Sequence, residues 1–198
     1  MLDNIIDQNI VFLEKHGVKM DSEDDRAVYK YGLQILYYYI TDLTVIFSLA
    51  FLFGKLYETI IMVFIFGLFQ VFGGGYHAKT PLKCLTAMII GAAAGNIIVM
   101  LITDNIFISA GSSGIFIAIS LLSKPVENKK HPVGKKVKRR SKLMLRTIGI
   151  LILAIIPVLC RLNKNIELAL IAVTLGLYII SSVCAKNKKS TITLSPPV

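Results

Sequence analysis

Pro81-Leu82-Lys83-Cys84-Leu85-Thr86-Ala87-Met88-Ile89-Ile90-Gly91-Ala92-Ala93-Ala94-Gly95-Asn96-Ile97-Ile98-Val99-Met100-Leu101-Ile102 carries a single charge, Lys83, close to its start. A helix of this length rises far enough to cross about 30 Å of hydrocarbon. Apolar residues follow one another without alternation, which fits a helix and not a barrel strand. Working outward, five further runs read the same way: Ile35–Phe53, Thr59–Phe72, Ile106–Ser123, Leu143–Cys160 and Leu168–Ala185. The second is short and can extend into the glycines that follow it. Thr103-Asp104-Asn105 is a brief but good turn between two of the runs. Hydrophobic residues are 55% of the 198 and charged residues only 17%, so a soluble domain of this length cannot enclose them. The expected fold is all-α: a polytopic membrane protein with about six transmembrane helices and an N-terminal amphipathic segment.

Charge orients these runs. With a cytosolic N-terminus, Lys15, Lys19, Arg26, Lys30, Lys79, Lys83, Lys186, Lys188, Lys189 and the ten basic residues of 124–146 share one side. The opposite side holds only Lys55, Arg161 and Lys164 of the 22 Lys and Arg. This asymmetry follows the positive-inside rule and places both termini in the cytosol. The net charge of +10 then fits anionic membrane lipid and not nucleic acid. Three segments result: a cytosolic amphipathic segment over 1–31, a transmembrane domain over 32–186 with a basic cytosolic loop at 124–146, and a disordered cytosolic tail over 187–198. The start of the chain is charged and net acidic, unlike a cleavable signal peptide. Cys84, Cys160 and Cys184 are too few and too far apart for a disulfide framework. With His16 and His131 the only histidines besides His77, no zinc spacing exists, and neither a metal nor a cofactor is expected.

The chemistry concentrates in Gly73-Gly74-Gly75-Tyr76-His77-Ala78-Lys79-Thr80-Pro81-Leu82-Lys83-Cys84. Gly73, Gly74 and Gly75 free the backbone for a tight, non-helical exit from the preceding run. Thr80 and Pro81 form a good N-cap and first-turn pair. Cys84 then falls at about the end of the first turn, where the positive helix end and Lys79 or Lys83 favour a thiolate. His77, just before the helix, can fold back as general base and then protonate a leaving amine. On the cytosolic side thiols stay reduced, as such chemistry requires. From the residues alone, a small buried cysteine and an interfacial histidine are the favoured account of the pair.

Gly74-Gly75-Tyr76-His77-Ala78-Lys79-Thr80, with Cys84 seven residues after the histidine, resembles the core of the AgrB family. These are accessory gene regulator membrane endopeptidases of Gram-positive quorum sensing. The resemblance extends to the amphipathic start, the number of spans and a basic loop beginning Pro125-Val126-Glu127-Asn128-Lys129-Lys130. Family members commonly carry arginine just before the glycines, where this chain has Gln70-Val71-Phe72. An arginine-based role in orienting substrate is therefore not carried over, and Gln70 becomes the candidate oxyanion donor or a residue facing another helix.

The resemblance implies a cysteine endopeptidase in a bacterial cell membrane whose partner is an AgrD-like propeptide. Cys84 attacks the carbonyl ending the signal segment, His77 protonates the departing fragment, and the signal peptide is held as an acyl-enzyme. A Cys or Ser of the substrate then displaces it, closing a thiolactone or lactone ring. Met1–Tyr31 is suited to the inner leaflet, where it can meet the propeptide's leader, or else merely orients the first span. Lys129, Lys130, Lys135, Lys136, Arg139 and Arg140 are candidate docking residues for an acidic propeptide segment, or else anchors on anionic lipid.

Asp42 is the clearest intramembrane charge, a candidate to orient His77 or a protonated acid bonded within its own surroundings. Asn96 reads as a bond between helices. Gly91 and Gly95 form a GxxxG pattern on the face of Cys84, for packing within the subunit or for a candidate homodimer. Gly111-Ser112-Ser113-Gly114 resembles the GxSG of rhomboid peptidases, but the later runs contain no histidine to serve it. The alternative from another class is a small membrane transporter or peptide exporter lined by Asp42, Gln70 and Asn96.

Overall fold

The computed structural model describes residues 2–18, 22–75, 80–122 and 135–193. They form seven helices: α1 (Leu2–Lys15), α2 (Glu23–Leu52), α3 (Leu56–Gly73), α4 (Pro81–Ile102), α5 (Ile106–Leu122), α6 (Lys135–Arg161) and α7 (Asn165–Thr193). Of these, α2, α3, α4, α6 and α7 are long and apolar enough to cross a membrane. The run at 106–122 gives a helix of 17 residues, α5, rising about 25 Å and so at the lower limit for a span. The protein is an all-α, polytopic membrane protein, as its apolar runs require.

Helix bounds exceed the apolar runs where charged residues continue the helix. At the start of α2, Ser22 Oγ accepts the Asp25 N–H at 3.1 Å and donates to the Asp25 carboxylate at 2.8 Å. That cap, with Glu23, Asp24 and Asp25 at the positive helix end, starts the helix twelve residues before the apolar run. Likewise α6 begins at Lys135, inside the basic stretch 124–146, because Lys and Arg are good helix formers. The backbone of α7 continues to Thr193, into the stretch read as a tail from 187.

The chain divides into two compact units, residues 1–49 and 50–198. In the first, α1 turns back along α2. Asn9 Nδ2 donates to the Tyr37 hydroxyl at 2.8 Å, and ion pairs join Asp7 to Lys30 (2.8 Å) and Glu14 to Arg26 (3.8 Å). These pairs are exposed and add little stability. Ile6 and Ile10 are fully buried, while Ile5 and Phe12 of the same helix stay exposed.

In the second unit α7 packs against α3, α4, α5 and α6. Every residue from Leu168 to Leu175 is buried, so this helix is surrounded on all sides over two turns. It is 56% buried over its apolar window, against 11–22% for the other four long helices, which identifies it as the centre. Phe69, Ile117, Leu145, Ile156, Leu168, Ile171, Leu175 and Tyr178 make the main core, and Met62, Val99, Ala169, Leu170 and Val173 a second. Lipid-facing residues such as Phe107 and Leu122 stay exposed, as expected of helices that meet hydrocarbon.

Small and polar residues set how closely helices approach. Ser109, Ser113 and Ser120 form the buried face of α5, and Ser113 Oγ donates to the Leu168 carbonyl of α7 at 3.0 Å. Asn96 Nδ2 bonds Thr59 Oγ1 at 3.2 Å, joining α4 to α3 as expected of an interhelical residue. In the GxxxG pattern, a Cβ on Gly95 would lie 3.0 Å from Met62 Sδ and 3.4 Å from Leu177, whereas Gly91 faces open space. Gly95 thus packs within the subunit. Gly95→Val is expected to destabilise the fold by about 1–3 kcal/mol through overpacking, and Gly91→Val to leave the melting temperature in detergent unchanged. Equal melting shifts in the two variants would contradict this packing.

Candidate active site at the glycine exit of α3 and the start of α4

The direction of α3 is fixed at both ends by α7. Near one end the Tyr57 hydroxyl meets the Glu167 carboxylate at 3.3 Å, beside the Lys55–Glu58 pair at 2.9 Å. Toward the other, the Phe69 and Tyr178 rings meet at a tilt of 58° with centroids 5.2 Å apart. The two helices therefore run side by side in the same direction, and the glycines leave α3 beside Tyr178 and the residues after it.

Helix α3 stops at Gly73 for a local reason. Gly74 donates its N–H to the Gln70 carbonyl at 2.9 Å, with φ at +71°, a conformation that favours glycine. The neighbouring glycines serve close approach. A Cβ on Gly73 would coincide with the Tyr178 hydroxyl and lie 2.9 Å from Tyr178 Cζ and 3.4 Å from Leu145. A Cβ on Gly75 would lie 2.9 Å from Ser181 Oγ and 3.3 Å from Gln70 Cγ. Gln70 thus lies over the exit of its own helix. Residues 76–79, including His77 and Lys79, lie outside the described residues, as do Lys129 and Lys130.

The chain resumes at Thr80, in extended conformation (φ −131°, ψ 148°), with Pro81 opening α4. Thr80 occupies the N-cap position without a capping bond from its hydroxyl. Its carbonyl accepts the Cys84 N–H at 3.2 Å, the first bond of the helix. Cys84 therefore sits at the end of the first turn, half-buried. The N–H groups of Leu82 and Lys83 precede that first bond and form the positive end of the helix, with no N–H from Pro81. Such an end stabilises an anion placed against it.

Asp42 is buried on α2, within residues 1–49. Lys136, Arg139 and Arg140 are exposed on the first turns of α6, where Lys135 begins the helix. Ser113, the serine of the rhomboid-like tetrapeptide, is fully buried and spends its hydroxyl on the Ser109 and Leu168 carbonyls. Among the described residues no group of His, Cys, Asp and Glu is arranged to hold a metal. Tyr178 and Ser181 were not found from the sequence, since nothing local ties them to a motif a hundred residues away. Their one signal is polar side chains at i and i+3 in an apolar run.

The sequence profile of the family described as Accessory gene regulator B matches residues 6–184. A protein of Clostridium acetobutylicum described as AgrB-like is 29% identical over 130 residues, covering 64% of this chain and 61% of that protein. The chain therefore matches less than two thirds of that relative's length. No solved structure matches the fold. With the profile spanning nearly all of both compact units and the glycine exit that leads to Cys84, the chain belongs to the accessory gene regulator B family.

Proposed function

We propose that this protein is a membrane cysteine endopeptidase that cleaves an AgrD-like quorum-sensing propeptide C-terminal to its signal segment and promotes ring closure. The observation that carries the reading is Cys84 at the first turn of α4, directly downstream of a glycine exit held close to α7. Family membership supports the substrate class.

In the first step Cys84 Sγ attacks the scissile carbonyl carbon after His77 takes its proton. The C–N bond breaks, His77 returns the proton to the leaving amine, and a thioester remains on Sγ. The N–H groups at the start of α4 and the Gln70 amide are the candidate oxyanion donors. In the second step a thiol or hydroxyl of the bound peptide attacks the thioester, giving its proton to His77, and Sγ leaves. Holding the internal nucleophile close raises its effective concentration above that of water, which favours ring over linear product.

Orientation follows from charge: both termini and the glycine exit face the cytosol, and Lys55, Arg161 and Lys164 face the other side. Lys136, Arg139 and Arg140, with Lys129, Lys130 and Lys135, attract the acidic part of the propeptide or the headgroups of anionic lipid. If they dock the propeptide, raising salt from low to physiological strength increases KM while kcat holds. A salt-independent KM would assign this cluster to lipid alone.

The test of the function is co-expression with propeptides from the same genome, with products read by mass. Expected are a released C-terminal fragment, a ring lighter than the linear peptide by one water, and an adduct on Cys84 that hydroxylamine removes. Predominantly linear peptide would refute ring closure through an acyl-enzyme. Cleavage that survives loss of Cys84, but not Asp42→Asn, would favour the transporter or exporter reading.

A further inference from the structure

We infer that Ser182 and Tyr178 of α7, with Gln70 of α3, form a subsite that hydrogen-bonds the main chain of the propeptide at the cytosolic end of the bundle. The inference deepens the peptidase reading and rests on it. Buried hydroxyls elsewhere in the protein are paired. Thr59 bonds Asn96, Ser109 bonds the Ile102 carbonyl, and Ser113, Ser120 and Thr174 bond the carbonyl one turn back. Ser182 is the remaining buried hydroxyl among the described residues, only 6% exposed, and its Oγ has no partner. It faces the Tyr178 hydroxyl one turn back without the geometry of a bond. A polar group left unmade in an apolar surround is costly, and it marks a place for an incoming partner.

The neighbouring groups select that partner. At the end of α3 the Tyr178 hydroxyl fills the space beside Gly73, and Gln70 and Ser181 flank Gly75 from two different helices. The Gln70 amide makes no side-chain hydrogen bond among the described residues. None of these groups is charged, and both the hydroxyls and the amide donate as well as accept. Such a set suits a neutral ligand that presents both functions, and not an anion or a cation. An extended peptide main chain is that ligand: its C=O and N–H groups leave water at the membrane interface and need partners there. Gly73 and Gly75 carry no side chain to hold it away.

Chain length ties the subsite to the nucleophile. Gly75 precedes Thr80 by five residues, so covalent geometry alone keeps the start of α4 within about 18 Å of it. An extended segment of about six residues spans that distance, so one stretch of propeptide reaches both the subsite and the first turn that carries Cys84. A buried water could satisfy the same hydroxyls, and the two occupants differ in what the propeptide feels.

The experiment uses the full chain with Cys84→Ala in lipid nanodiscs, so that the propeptide cleaved by the wild type binds without being consumed. Ser182→Ala and Tyr178→Phe are added singly. Each protein is titrated with the labelled propeptide and with analogues N-methylated at one main-chain position around the cleavage site. Expected in each variant is a Kd about tenfold higher, equivalent to about 1.4 kcal/mol. One N-methyl position is expected to weaken binding to the parent about tenfold and to have no further effect in Ser182→Ala. The melting temperature of Ser182→Ala is expected to hold, since the lost hydroxyl had no partner. An unchanged Kd in both variants would overturn the inference, assign the hydroxyl to a buried water and leave the peptidase reading standing. Weaker binding with additive effects at every N-methyl position, or with a fallen melting temperature, would overturn it too. If the wild-type chain cleaves no propeptide, the peptidase reading falls and this inference with it.

Discussion

Cys84→Ala is expected to bring propeptide cleavage below detection, and His77→Ala to lower kcat by about 10²–10⁴-fold. The asymmetry follows from the roles. Removing the nucleophile ends the acyl-enzyme route, an effect that reaches about a millionfold in comparable hydrolases. Removing the base leaves the nucleophile and the oxyanion donors, and costs only the proton-transfer share. Neither change is expected to unfold the protein. Cys84 is half-buried in the first turn of α4, and alanine is the better helix former. Equal membrane levels, checked by immunoblot, make the comparison valid. Normal cleavage by both variants would remove the pair from the mechanism and turn attention to Asp42.

Gly73→Ala is expected to lower kcat by about 10²-fold or more, although it adds a single methyl group. The methyl would fall on the Tyr178 hydroxyl, and the ring behind it is held by Phe69 and Leu145. With the ring packed in this core, the overlap is expected to displace the end of α3 and the glycine exit with it. The same overpacking costs about 1–3 kcal/mol of stability. Adding Tyr178→Phe removes the atom in closest conflict and is expected to restore part of the melting temperature, though Cζ remains close. Gly91→Ala, on a helix face with no neighbour within 4 Å, is the control and is expected to be silent in both measurements. Wild-type activity in Gly73→Ala would show that the exit tolerates displacement.

Hydropathy located six helical runs, and the turn at 103–105 and the extension of α3 to Gly73 appear as the residues suggested. It missed the polar beginnings of α2 and α6, because a window of apolar residues does not register a Ser22 cap or a run of helix-forming Lys and Arg. The N-cap position of Thr80 and the first-turn position of Cys84 were legible, since Thr-Pro before an apolar run is local chemistry. The partners of the glycines were not. That Gly73 meets Tyr178 and Gly75 meets Ser181 depends on α3 and α7 running parallel, which neither stretch encodes alone. The central place of α7 was equally hidden, since its mean hydropathy of 2.3 lies between those of α4 (2.2) and α6 (2.5).

The order of synthesis gives that central helix a further meaning. α7 follows α3, α4, α5 and α6 in the chain, yet all four pack around it. While the ribosome is still making α6, those helices lack the partner that they share. The wall against which Gly73 and Gly75 rest does not yet exist. Until α7 is made, the end of α3 lacks the side chains that its glycines pack against. The packing around Gly73 and Gly75 is therefore completed only by the last helix of the chain.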